Sequence, residues 1–147
     1  MNRILISLAF ALALVLGAVP LAQSQANGKI IVNVIGLRND NGVVRCGLYN
    51  SPDGFRKPGM QFRGVVAKIS GKTAACVFDD VPPNVYAVAL FHAEHNEAQI
   101  TYGFFGSPDQ GYGFSNNPDT SFGPASFREA SFTYGGGDMS LSVKVKY

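Results

Sequence analysis

Val85-Tyr86-Ala87-Val88-Ala89-Leu90-Phe91-His92 contains no Gly and no Pro, and its branched and aromatic residues mark it as a strand. Tyr86, Val88 and Leu90 alternate with Val85, Ala87, Ala89 and Phe91. Both faces are therefore largely apolar. Just before it, Asp79-Asp80-Val81-Pro82-Pro83-Asn84 reads as a loop. Before that loop, 64–69 and 73–78 read as two strands joined by the short turn Ser70-Gly71-Lys72. Residues 50–60 form a further loop, with room for one helical turn after Ser51-Pro52. Residues 29–37 are rich in Ile and Val and read as a well-buried strand. Asn39-Asp40-Asn41-Gly42 is a turn signal, and 42–49 follows as a strand, so the two together are expected to form a β-hairpin.

On the other side, His92 to Gly137 is long, rich in Gly and Pro, and holds nine of the 17 aromatic residues of the chain. A disordered segment is poor in aromatics, so this region is expected to be ordered and to pack its rings onto the sheets. Short strands or turns are expected within it, with one short helix at 126–131. Gly135-Gly136-Gly137-Asp138 makes a final turn. Residues 139–147 (MSLSVKVKY) alternate apolar and polar as a half-buried strand does, with Met139, Leu141, Val143 and Val145 inward. Six or seven short strands with tight turns and little helix predict a mainly β fold: a sandwich of two antiparallel sheets with a long ordered aromatic and Gly-rich loop region.

The N-terminus is read separately. Arg3 precedes an uncharged apolar run, Ile4 to Leu16, and the small residues Gly17, Ala18, Ala22 and Ala26 follow. That is the layout of a secretory signal peptide. A spanning helix needs about 20 apolar residues, and Pro20 and Gln23-Ser24-Gln25 end this run early. Residues 1–26 are thus expected to be a cleaved signal, cut after Ala26 or after Ala22. Residues 27–147 are expected to be a single domain, periplasmic or extracellular, with no later membrane span.

Charge excludes one class of partner. The chain has 12 basic and 10 acidic residues, and losing Arg3 leaves a net charge of about +1. The basic residues are too scattered for a nucleic-acid face. Two cysteines remain, Cys46 and Cys76, both at core-facing positions of strand-like segments. In an oxidising compartment they are expected to pair; two buried free thiols are the alternative. They lack the Cys-x-x-Cys spacing of redox catalysts.

Three stretches carry a resemblance. Phe78 to Val88 is similar to the loop, Pro-Pro-Gly and Tyr pattern of transthyretin-like and carboxypeptidase-regulatory-like sandwiches, with Asn84 in place of the Gly. The second stretch is Gly106-Ser107-Pro108-Asp109-Gln110-Gly111-Tyr112-Gly113-Phe114-Ser115-Asn116-Asn117, and the third runs from Phe122 to Phe132. Together they resemble DUF2141, a family of exported bacterial proteins of unknown function, over nearly all of residues 27–147, Cys46 and Cys76 included. The resemblance implies a transthyretin-like or Ig-like sandwich. That family often carries Asp-x-Asn-x-Asn-Gly-x-x-Asp after the long strand, a pattern suited to a hard cation. This chain has Ala93, Ala98 and Thr101 where the first Asp, the Gly and the last Asp would stand, so those ligands are not carried over.

The remaining motifs are weighed on their own chemistry. His92-Ala93-Glu94-His95-Asn96-Glu97 gathers both histidines with two carboxylates. Imidazole and carboxylate suit zinc or copper, and His92, Glu94, His95 and Glu97 are the candidate ligands. The plainer reading is a polar strand end with a hydrogen-bonded His92, and no metal or other cofactor is expected. There is no Gly-x-Ser-x-Gly elbow and no His-Glu-x-x-His helix. Asp79-Asp80 sits where Asp serves turn chemistry. A non-enzymatic binding module of the cell envelope is the expected function, with carbohydrate, peptide or an envelope protein as partner. A metal-binding domain on residues 92–97 and a hydrolase are the alternatives. Tyr102, Tyr112 and Asn116 are the candidate ligand contacts, the tyrosines because they pair an apolar face with a polar tip.

Overall fold

The computed structural model describes residues 26–147. The signal segment expected over 1–26 lies, apart from Ala26, outside the described residues. The elements run β1 (Gly28–Ile35), β2 (Val43–Tyr49), β3 (Arg63–Lys68), β4 (Ala74–Val81), β5 (Asn84–Ala93), β6 (Tyr112–Phe114), α1 (Phe127–Ala130), β7 (Ser131–Tyr134) and β8 (Met139–Lys144). They build two sheets. One has the order β4-β1-β8; the other has the order β3-β2-β5-β6, with β7 also paired to β5.

The two sheets bury one core between them. Ile30, Val32 and Val34 from β1 meet Val44 and Leu48 from β2 and Val88 and Leu90 from β5. Cys46 on β2 and Cys76 on β4 are joined as a disulfide that crosses this core from one sheet to the other. β5 is the long central strand, paired with β2 on one side and with β7 and then β6 on the other. Its second apolar face is covered too. Ala87 packs in a smaller cluster with Tyr49, Phe55, Phe114, Ala125 and Ala130, outside the sandwich. This explains why the Val85–His92 stretch is apolar on both faces.

Several expectations change. β1 and β2 are not a hairpin. They lie in different sheets, and the 36–42 connection crosses the top of the core. Gly42 sits at φ +66°, and a Cβ there would meet the Ala93 carbonyl oxygen at 1.9 Å. The turn residues were read correctly, but turn chemistry does not say whether the chain returns to the same sheet. β3 and β4 likewise part into different sheets at the 69–73 corner, where Ser70 and Thr73 exchange backbone hydrogen bonds. The sheets are not wholly antiparallel, because β8 runs parallel to β1. No tight turn joins those two strands, so nothing forces them to run opposite ways. Asp79 and Asp80 belong to β4, not to a loop. They form a bulge opposite Lys29, with Asp80 at φ +50°.

The 92–137 region is ordered, with β6, β7 and one turn of helix inside it. Ser126 caps that turn in a reciprocal box with Glu129. Its rings do not all pack down. Phe114 is buried and Phe127 packs on the same outer cluster, but Phe104, Phe105 and Phe122 are fully exposed.

Candidate ligand groove

Register decides what the outer face of the five-stranded sheet presents. Directly opposed residues of antiparallel neighbours share a face. One row is Val66, Arg45, Phe91 and Tyr112; the next is Gly64, Gly47, Ala89 and Phe114. The second row is small across β3, β2 and β5, so the sheet dips there. Tyr49 lies on the same face, two residues after Gly47, and its ring folds back over it. A Cβ on Gly47 would meet Tyr49 Cε2 at 2.7 Å and Oη at 3.1 Å. A Gly in mid-strand commonly marks such a close approach.

Three loops rise around this floor: 56–61, 98–108 and 120–124. Together they enclose a groove of about 600 Å³. That is the size of a small-ligand site. Gln110 braces the middle loop: its Oε1 accepts from Thr101 N at 2.8 Å, and its Nε2 donates to Thr101 Oγ1 at 2.9 Å. Thr101 Oγ1 in turn donates to Asp109 Oδ2 at 2.8 Å. The same loop carries Phe104 and Phe105, edge to face at 5.2 Å and exposed. Phe122 stands on the third loop.

The charged groups in the groove are two arginines, beside neutral Gln, Ser, Thr and Tyr side chains. Arg45 Nε donates to the Glu97 carbonyl at 2.6 Å, which anchors the guanidinium on the floor. Among the described residues neither Arg45 nor Arg56 has a carboxylate partner. Tyr49 is mostly buried, but its hydroxyl stays accessible and bonds to no protein group among the described residues. Burial pushes the Tyr49 hydroxyl pKa up, and the nearby Arg56 charge pulls it part of the way back. No Asp, Glu or His lines the groove.

Of the expected contacts, Tyr102 and Tyr112 line this groove and Asn116 does not. Tyr102 is 58% exposed, and Tyr112 is half-buried with its hydroxyl 3.3 Å from Thr120 Oγ1. Asn116, at φ +67°, donates to the Glu129 and Ser131 carbonyls at 3.0 and 2.8 Å. Its neighbours are equally occupied. Ser115 accepts from Val88 N at 2.8 Å and donates to Ala130 O. Asn117 accepts from Lys144 N at 2.7 Å and donates to Ser142 O at 3.1 Å. The Ser-Asn-Asn stretch thus ties β6 to β5, α1, β7 and β8. The groove residues that sequence reasoning missed are Tyr49, Arg45 and Arg56. The isolated Gly47 within a strand pattern was the available signal.

The 92–97 segment is organised around structure. His92 is buried, with Nδ1 2.6 Å from Tyr147 Oη and Nε2 2.7 Å from the Asn41 carbonyl. A carbonyl only accepts, so Nε2 carries the hydrogen and Nδ1 accepts from the tyrosine. Both ring nitrogens are therefore engaged. Tyr147 Oη also accepts from Arg38 N at 3.0 Å. Glu94 takes a two-pronged bond from Arg38, at 2.5 and 2.9 Å, and this holds its carboxyl pKa below the ordinary range. His95 is exposed and has Glu97 as its side-chain partner at 3.2 Å. For Glu97, burial acts upward but is outweighed by hydrogen bonds from its own and the His95 backbone, so its carboxyl pKa is lowered. Among the described residues no three His, Cys, Asp or Glu side chains converge as a metal site. Asp79 pairs with Lys29 at 3.3 Å and Asp80 accepts from Asn27 at 2.9 Å, on the far side of the bulge.

No helix among the described residues is long and apolar enough to cross a membrane. Among curated proteins and solved structures, none matches the chain. A family model described as an uncharacterized protein conserved in bacteria, DUF2141, matches residues 32–142. That span runs from β1 into β8 and takes in both cysteines and the whole floor of the groove; the chain belongs to the DUF2141 family.

Proposed function

We propose that this chain is an exported, non-enzymatic binding module of the cell envelope, with its ligand held in the groove on the outer face of the five-stranded sheet. The observation that carries the reading is the set of exposed rings on the loops that wall the groove. Phe104, Phe105 and Phe122 are each fully exposed, where burying each ring is worth about 1.5–3 kcal/mol. Exposed apolar surface on loops beside a concavity favours an interaction site. Export is supported by the apolar run at 4–16 with its small flanking residues, and by the Cys46–Cys76 bridge, a bond favoured outside the cytoplasm. The non-enzymatic reading is supported by a lining without Asp, Glu or His, so its hydroxyls have no acid or base partner of the kind hydrolases use.

The test is to replace Phe104, Phe105 and Phe122 together by Ala. Because the rings are exposed, stability should change by about 0.5 kcal/mol or less per site. Binding of envelope-derived saccharides or peptides to the purified domain should fall sharply. Unchanged binding by the triple variant would refute the exposed rings as part of the site, and unchanged binding by Tyr102→Ala with Tyr112→Ala, which line the groove, would refute the groove itself.

A further inference from the structure

The groove pairs two chemistries that point to a ligand class. It holds positive charge with no carboxylate partner and a free hydroxyl: Arg45, anchored on the floor through Nε, Arg56 on the 56–61 loop, and Tyr49, whose hydroxyl reaches the groove and bonds to no protein group among the described residues. Three donors with no lining carboxylate make a receptor for an oxyanion, since guanidinium matches the planar fork of such groups. Beside them stand Tyr102 and Tyr112, half-exposed rings with polar tips. Such rings stack on the apolar faces of sugars while their hydroxyls stay wet. The floor itself is the face of a hydrogen-bonded sheet, so its ladder amides are already paired. An extended peptide adding as a strand would pair with the outer edge of β3, beside this floor and not on it.

Resting on the groove reading above, we infer that the ligand is an acidic sugar chain, its oxyanion received by Arg45, Arg56 and the Tyr49 hydroxyl and its sugar faces laid on Tyr102 and Tyr112. Carboxylated and sulfated sugars share this chemistry. The Arg charges make capture weaken with salt.

Calorimetric titration of the domain with an oligogalacturonide, its methyl ester, a sulfated galactan oligomer, the neutral galactan oligomer and a panel of peptides tests this. The acidic oligomers should bind, and the ester and neutral oligomers should bind about tenfold or more weakly, the loss expected for one charge-assisted contact. Whichever acid binds more tightly identifies the source of the oxyanion. Tyr49→Phe and Arg56→Gln should each weaken acidic binding about three- to tenfold and narrow the gap between acidic and neutral oligomers, leaving the melting temperature unchanged. Equal binding of acidic and neutral sugars would overturn the inference. So would peptide binding alone; if that binding is lost in the triple Phe→Ala variant, the groove reading survives while the sugar class falls. Failure of every probe would overturn both.

Discussion

Gly47 is held to glycine by a residue two positions along its own strand. The Tyr49 ring occupies the space where a Cβ would sit, and that ring is itself packed against Phe55 at 5.3 Å, so it has little room to yield. Gly47→Ala should cost about 1–3 kcal/mol in a urea melt, the range for overpacking a filled site. It should also displace the Tyr49 hydroxyl from the groove floor. An unchanged melt would mean that the ring moves aside freely. Glu94 gives a second prediction at this scale. Its carboxyl pKa is lowered in the fold by Arg38, so the unfolded chain binds more protons than the folded one between the lowered value and the usual value near 4.3. Stability from this pair is present above that usual value and is lost as pH falls through the folded one. Glu94→Gln should flatten the acid limb of a pH-stability curve, and an identical acid limb in the variant would contradict the pairing.

Single elements show how far reading the chain from composition and period can go. β5 was legible because its residues are apolar on both faces, and the outer cluster of Tyr49, Phe55 and Phe114 supplies the second cover. The alternation of β8 was legible, but its parallel partner β1 was not, since a strand pattern is silent about direction. The β1–β2 connection was misread because Asn-Asp-Asn-Gly serves a crossover loop as well as a hairpin. Tyr102 and Tyr112 could be picked out locally, as aromatics in a Gly-rich segment. Arg45, Tyr49 and Arg56 could not, because only the β2–β5–β6 register and the 56–61 loop bring them beside those tyrosines. Asn116 looked like a contact because polar residues in such loops often are; instead it spends both donors on the helix and β7. Asn116→Ala should therefore cost about 1–3 kcal/mol by thermal or urea unfolding, from two carbonyls losing a donor. It should leave the affinity of the groove unchanged. A loss of affinity without a loss of stability would make Asn116 a ligand contact after all.

For the molecule as a whole, two sheets face each other across one core, and a single covalent bond spans them. Cys46 and Cys76 are 30 residues apart, and opening their bridge should cost about 2–4 kcal/mol, because the unfolded chain regains the entropy of that loop. Cys46→Ala with Cys76→Ala should melt well below the oxidised protein and match it after reduction. Alkylation without reductant should label neither cysteine, and free labelling of both would contradict the bridge. The outer face of the larger sheet is the proposed ligand surface, and the core and bridge behind it hold that face in place. Chemical-shift mapping of the isotope-labelled domain, titrated with the oligogalacturonide, tests that most directly. The shifts should fall on Arg45, Tyr49, Tyr102 and Tyr112 and on the 56–61, 98–108 and 120–124 loops. Shifts confined to β4, β1 and β8, or to the His92–Glu97 segment, would contradict it.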